Sequence, residues 1–167
     1  WLLLGPYTQP PGPGASPGPG VARDHLCDGA GVNELDIEPR AGDTVNTSYG
    51  PAGCARSTGL KAGTAAINPG GVPTWFAWTD LDDTISFGDY YGGNLDQLMM
   101  YAVCYLEVAA NLTVDMALDS DDSIQVLLDG SEIFSHNMAR GLSGANTITD
   151  VVPAIPLSAG RHKLMVK

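Results

Sequence analysis

The chain predicts an all-β fold, an antiparallel two-sheet β-sandwich of jelly-roll type with a long loop-rich N-terminal half. Three observations carry that prediction. First, residues 112–130 read LTVDMALDSDDSIQVLLDG, in which Leu112, Val114, Met116 and Leu118 alternate with Thr113, Asp115, Ala117 and Asp119. That period of two belongs to a strand buried on one face. Second, the chain holds 21 glycines and 12 prolines, and only 16% of its residues are charged. Such a composition suits many short strands joined by turns and argues against a helical bundle. Third, strand-like runs follow one another at regular spacing through the second half, separated by Gly and Asx turns.

Taken in order, residues 1–4 read as a short strand ending at Gly5-Pro6. Residues 9–20, QPPGPGASPGPG, form a low-complexity loop or insertion; the glycines at 12, 14, 18 and 20 break the every-third-residue rule of collagen. Residues 21–73 are rich in turns, with short strands expected at 34–38 and 44–49. Residues 73–79, PTWFAWT, make a better strand, and 85–87 another short piece. Residues 98–109, LMMYAVCYLEVA, suit a helix on hydrophobicity alone; the aromatic and β-branched content and the four strand-like runs that follow favour a strand. Ser120-Asp121-Asp122 turns the chain, Ile124, Val126 and Leu128 open the next strand, and Asp129-Gly130 is a hairpin turn leading into 131–134. Residues 147–152 and 162–167 supply the last two strands.

A length of 167 residues fits one domain spanning 1–167, with 44% hydrophobic content to build a core. The formal net charge is −11, with only eight Lys and Arg. This excludes nucleic acid as a natural partner, because phosphate binding needs a basic face. An acidic, Lys-poor surface suits a protein outside the cell or at its surface and attracts divalent cations. No run approaches the ~20 apolar residues of a membrane span. The chain does not start with Met and shows no signal peptide, so a processed or internal fragment is expected. Of the three cysteines, Cys27 and Cys54 lie in Gly-rich loops and are expected to form a disulfide, whereas Cys104 sits in an apolar strand as a buried free thiol. Asn46 and Asn111 head glycosylation sequons.

The candidate chemistry is that of binding. Asp119, Asp121 and Asp122 offer clustered oxygen ligands for Ca²⁺, or they accept backbone N–H groups and shape the turn. Asp80, Asp82, Asp83 and Asp89 make a second acidic loop, again a calcium site or a solvated surface. Trp78, Tyr90 and Tyr91 are candidates to stack on sugar rings, with Trp75 in the core, since Trp75 and Trp78 point to opposite faces of a strand. Arg140 is a further ligand-contact candidate, or it forms an ion pair with Asp150 across adjacent loops. His25, His136 and His162 have no metal-ligand spacing, and no nucleophile elbow, P-loop or dinucleotide fingerprint is present. Enzymatic activity is therefore not expected.

A longer pattern runs through the chain. It comprises Trp1-Leu2-Leu3-Leu4-Gly5-Pro6-Tyr7, Arg23-Asp24-His25-Leu26, Pro39 with Gly42-Asp43, and Trp75. It continues through Tyr101-Ala102, the block from Ser120-Asp121-Asp122 to Asp129-Gly130, Arg140, Asp150, and Leu157 through Gly160 to Leu164-Met165-Val166-Lys167. This pattern resembles the galactose-binding-like β-sandwich modules of large secreted bacterial proteins and is similar, more distantly, to the protective-antigen-type sugar-binding domain. The resemblance implies a non-catalytic module beside glycoside hydrolase or adhesion domains that binds a polysaccharide or glycan, some members holding a structural calcium. The chain departs from that pattern in carrying Asp129-Gly130 where Asn-Gly is usual, in residues 9–20, and in lacking a further strand after Lys167. The last departure suggests a second role, as a structural subunit that self-associates into a homo-oligomer or filament by sharing strands at an open edge.

Overall fold

The computed structural model describes residues 1–8, 21, 26, 33–44, 74–79, 84–86, 98–142 and 148–167. They form strands β1 (Leu2–Thr8), β2 (Phe76–Ala77), β3 (Leu98–Val108), β4 (Leu112–Leu118), β5 (Ile124–Leu128), β6 (Ser131–His136), β7 (Asp150–Leu157) and β8 (Gly160–Val166). All pairings are antiparallel. The strands make a six-stranded sheet in the order β2-β1-β3-β8-β5-β6 and a two-stranded sheet of β4 and β7. Among the described residues no helix is long and apolar enough to cross a membrane.

β3 lies between β1 and β8, and this position explains its continuous apolar run. Met99, Tyr101 and Val103 enter a core on one face of the large sheet with Leu4, Tyr7, Leu26, Trp75, Leu127 and Met165. Met100 and Ala102 point the other way, against Leu3, with Phe76, Trp78 and Ile85 packed around them. A strand covered on both faces has no polar residue to mark its alternation, so period alone cannot separate it from a helix. β4 shows the contrasting case. Val114, Met116 and Leu118 are half-buried and Thr113, Asp115 and Ala117 exposed. Its inward residues join Ile155 and Leu157 of β7 in a cluster with Ile124, Val126, Leu128 and Leu164 of the large sheet, so one core ties the two sheets together.

Several local expectations are revised. The turn at 120–122 does not fold β4 back on β5; it carries the chain from the small sheet to the large one, where β5 pairs with β6 and β8. β1 does not stop at Gly5-Pro6. Leu4 opposes Tyr101 and Tyr7 opposes Met99, so one extra residue is absorbed as a bulge that accommodates a proline lacking an N–H donor. Residues 34–38 form a turn and an extended segment, not a strand. The Asn33 side chain accepts the Leu35 N–H at 3.0 Å and the Asn33 carbonyl accepts the Asp36 N–H at 3.0 Å. An Asx side chain thus supplies what a sheet neighbour would have supplied. Thr44 makes an isolated bridge to Thr74, the rest of the expected 44–49 strand lying outside the described residues, and residues 84–86 are not in a strand, with residue 87 likewise outside. β7 begins at Asp150 and runs on to Leu157, beyond the expected end at 152.

Two glycine positions rest on backbone geometry. At the Asp129-Gly130 turn both residues have positive φ, 49° and 79°, as a two-residue hairpin requires. Gly5 sits at the β1 bulge with φ of 143°, and a Cβ there would lie 3.0 Å from Met100 Cγ and 3.2 Å from the Met99 carbonyl oxygen. Gly5→Ala is therefore expected to lower stability by about 1–3 kcal/mol, measured as a reduced urea midpoint with unchanged slope.

Candidate functional site

β8 projects charged residues on both faces. Arg161, Lys163, Met165 and Lys167 alternate with His162, Leu164 and Val166. The first set meets the segment 33–39, which lies across that face of the large sheet. Lys163 Nζ donates to the carbonyls of Leu35 at 2.8 Å and Ile37 at 2.6 Å. Lys167 Nζ donates to Glu34 Oε1 at 2.7 Å, and the Tyr101 hydroxyl donates to Glu34 Oε2 at 2.6 Å, all three groups buried. The Tyr105 hydroxyl donates to the Pro39 carbonyl at 3.0 Å. These bonds hold an irregular segment over the sheet where apolar contact alone would not fix its path.

Between this segment and the sheet lies a cleft of about 230 Å³ lined by Leu35, Glu38, Tyr105, Asp129, Arg161 and Lys163. The Arg161 guanidinium sits 3.8 Å above the Tyr105 ring, a cation–π contact. Its Nε is 3.8 Å from Glu107 Oε1, an exposed pair of little energetic weight. Burial, reinforced by the nearby Glu38 carboxylate, pushes the Tyr105 phenol up to about 12, so it stays a donor. Burial lowers the Lys163 ammonium, partly offset by Glu38, Asp36 and Asp129.

Asp129 closes one end of the cleft and is held from behind. Its Oδ1 accepts the Lys163 N–H at 2.8 Å, and its Oδ2 lies 2.6 Å from His162 Nδ1. The other ring nitrogen, Nε2, lies 2.9 Å from the Ser158 carbonyl oxygen and 3.5 Å from the Ser158 hydroxyl. Partial burial works to raise Asp129, but the bonds from His162 and Lys163 outweigh it and hold the carboxyl below its ordinary range. The hydrogen bond to Asp129, then the one to Ser158, raise His162. Asp129, His162 and Ser158 have the residue types of a hydrolytic triad but not its logic. Both ring nitrogens face acceptors, Nε2 lying nearer the Ser158 carbonyl than the Ser158 hydroxyl, an arrangement that favours the charged ring. The arrangement holds the Asp129 carboxylate at the cleft wall.

The other candidates from sequence are distributed differently. Arg140 is bound into the turn that links the sheets. Its Nε donates to the Ser120 carbonyl at 3.1 Å, Nη2 donates to Ser120 Oγ at 2.6 Å, and Nη1 pairs with Asp150 Oδ2. Asp122 Oδ1 accepts the Arg140 backbone N–H at 3.1 Å, and Asp119 Oδ1 accepts the Ser120 N–H at 2.8 Å. Asp119 and Asp122 thus shape the turn, and Arg140 and Asp150 form the cross-loop ion pair. Among the described residues no three His, Cys, Asp or Glu side chains are grouped to hold a metal ion. Trp75 is buried as expected, while Trp78 is half-buried against Leu3, Met100 and Ala102. Cys104 is a free thiol, half-buried rather than fully so, and burial raises its pKa. Asn111 is exposed, its Oδ1 accepting the Ala159 N–H at 2.8 Å. Tyr90, Tyr91, Cys27, Cys54, Asn46, His25 and the acidic residues Asp80, Asp82, Asp83 and Asp89 lie outside the described residues.

The cleft residues went unread in the sequence because they come from separate stretches with no common spacing. One signal was present: Arg161, Lys163 and Lys167 fall on the same side of a strand whose intervening residues are apolar or aromatic. Cations on a covered sheet face need acceptors above them. No protein-family model matches this chain, and no curated protein or solved structure matches it significantly.

Proposed function

We propose that the chain is a non-catalytic carbohydrate-binding module, a jelly-roll β-sandwich of the galactose-binding-like kind that acts outside the cell or at its surface, and that the cleft beside Tyr105 is its glycan site. The observation that carries this reading is the balance of the cleft wall. Glu38 and Asp129 bring two negative groups, Arg161 and Lys163 two positive ones, and Tyr105 a phenol oxygen that can still accept. A wall with matched charge and mixed donors and acceptors suits neutral hydroxyl-bearing ligands better than anions or cations. At about 230 Å³ the cleft lies below the size of sites for drug-like ligands and suits a single sugar unit.

Calorimetric titration with soluble galactan, mannan and xylan tests it. Saturable binding to at least one is expected, weakened about tenfold by Glu38→Gln and by Arg161→Ala, the weight of a charge-assisted hydrogen bond, with little change in thermal midpoint. Absence of binding to all three, or equal binding by both variants, would overturn the reading. Self-association is the second reading. Among the described residues β6 has no strand on its outer side, and Met138, Leu142, Ile148 and Val151 are exposed apolar residues on and before β7. Light scattering with and without a chelator separates the two: large assemblies favour the structural subunit, and a monomer favours the binding module.

A further inference from the structure

We propose that His162 is a positioning residue for the cleft: its charged ring clamps the Asp129 carboxylate at the cleft wall, so that ligand affinity follows the ring's protonation. This inference rests on the cleft being the ligand site.

The geometry is that of a relay anchored at its far end. The Ser158 carbonyl in the β7–β8 turn fixes Nε2 at 2.9 Å, and Nδ1 then reaches Asp129 Oδ2 at 2.6 Å. The Lys163 N–H holds the second carboxylate oxygen at 2.8 Å, and the Asp129 N–H donates to the Lys163 carbonyl at 2.9 Å. Asp129 is thus tied to β8 by backbone and side chain, yet it is still part of the cleft wall. The surroundings of the ring contain no competing charge. On its own strand, Arg161 and Lys163 project to the opposite face. β3 presents Leu106 in register, the β5–β6 turn presents Asp129, and the β7–β8 turn presents Ser158. The carboxylate is therefore the one titratable group that faces the ring among the described residues.

Both bonds favour the charged ring, and the folded-state value is raised from the ordinary histidine value. The clamp is therefore complete below the unfolded histidine value of ~6.5, down to the acid range where the Asp129 carboxyl takes up its proton, and it is lost as pH rises through the higher folded value. Once the ring is neutral, one nitrogen becomes an acceptor and must face either a carboxylate or a carbonyl. One of the two bonds then breaks: either Asp129 loses the ring N–H and keeps only its Lys163 contacts, or it keeps an uncharged donor whose far end Ser158 no longer holds.

Two measurements decide the matter. In the ligand-free protein, nuclear magnetic resonance follows the His162 ring nitrogens and the amides of Asp129, Gly130 and Lys163 between about pH 5 and pH 9. The amides are expected to shift with the midpoint of the ring, above ~6.5, and His162→Gln is expected to abolish that transition. Titration with galactan, mannan and xylan then reads affinity. The wild type is expected to weaken about tenfold between about pH 6 and pH 9, whereas H162Q binds about tenfold more weakly at pH 6 and without pH dependence. Amides that do not follow the ring, or an H162Q variant with wild-type affinity and pH profile, would overturn the clamp. If the amides follow the ring but no polysaccharide binds at any pH, the glycan reading fails and the positioning of Asp129 stands.

Discussion

Lys167→Met is expected to lower the unfolding free energy by about 3–5 kcal/mol, a large share of the ~5–15 kcal/mol available to a domain of this kind. The Lys167 side chain is fully buried, and Glu34, its partner at 2.7 Å, is 9% exposed. Removing the ammonium leaves a carboxylate in the core with the Tyr101 hydroxyl still donating to it. Desolvating an ionised carboxylate without its cation costs far more than the net gain of the original pair. The double variant Glu34→Gln/Lys167→Met should recover most of the loss, because the glutamine carbonyl still accepts from Tyr101 and no charge is buried. Urea unfolding of the three proteins checks this. A loss below about 1 kcal/mol for K167M, the weight of a surface pair, would mean that the segment lifts and lets water reach Glu34.

Trp75→Ala is expected to cost about 3–5 kcal/mol, against about 1–2 kcal/mol for Trp78→Ala. Trp75 is 3% exposed, and its ring lies 6.3 Å from that of Tyr101 at the centre of the main core. Its backbone also anchors the loop at 40–43, donating to the Asp43 carbonyl and accepting the Gly42 N–H, both at 2.8 Å. Truncation opens a cavity that this hydrogen-bonded surround cannot fully close. Trp78 is half-buried, so its removal exposes less new surface. Denaturant midpoints of the two variants test the ranking, and equal losses would contradict it.

These two tryptophans show how far the sequence could be read. Their assignment to opposite faces followed from strand alternation; the same rule identified β4, where one face is wet, and local turn chemistry identified the Asp129-Gly130 hairpin. It failed where the deciding partner is distant. Gly5-Pro6 reads as a stop, but β3 carries β1 through it as a bulge. Residues 34–38 have a strand-like composition, but Asn33 turns them locally and Lys163 holds them from 126 and 128 residues away. The cleft was hidden for the same reason. In sequence Asp129 is a turn residue and His162 a histidine without metal spacing, and only the pairing of β8 with β5 places one beside the other. Arg140 and Asp150, by contrast, lie ten residues apart and were visible as a pair.

The position of β8 also governs how the chain can assemble. It separates β3 from β5 in the large sheet, although β3, β5 and β6 all precede it in sequence. Before it docks, the β1–β3 half has an open edge and the β5–β6 hairpin is a two-stranded ribbon, too small to be stable alone. The central join therefore closes only after residues 160–166 have been made, and it closes through contacts distant in sequence. Such a topology folds slowly for its size and keeps a sticky edge exposed until synthesis passes that point, when the arriving strand seals both halves at once.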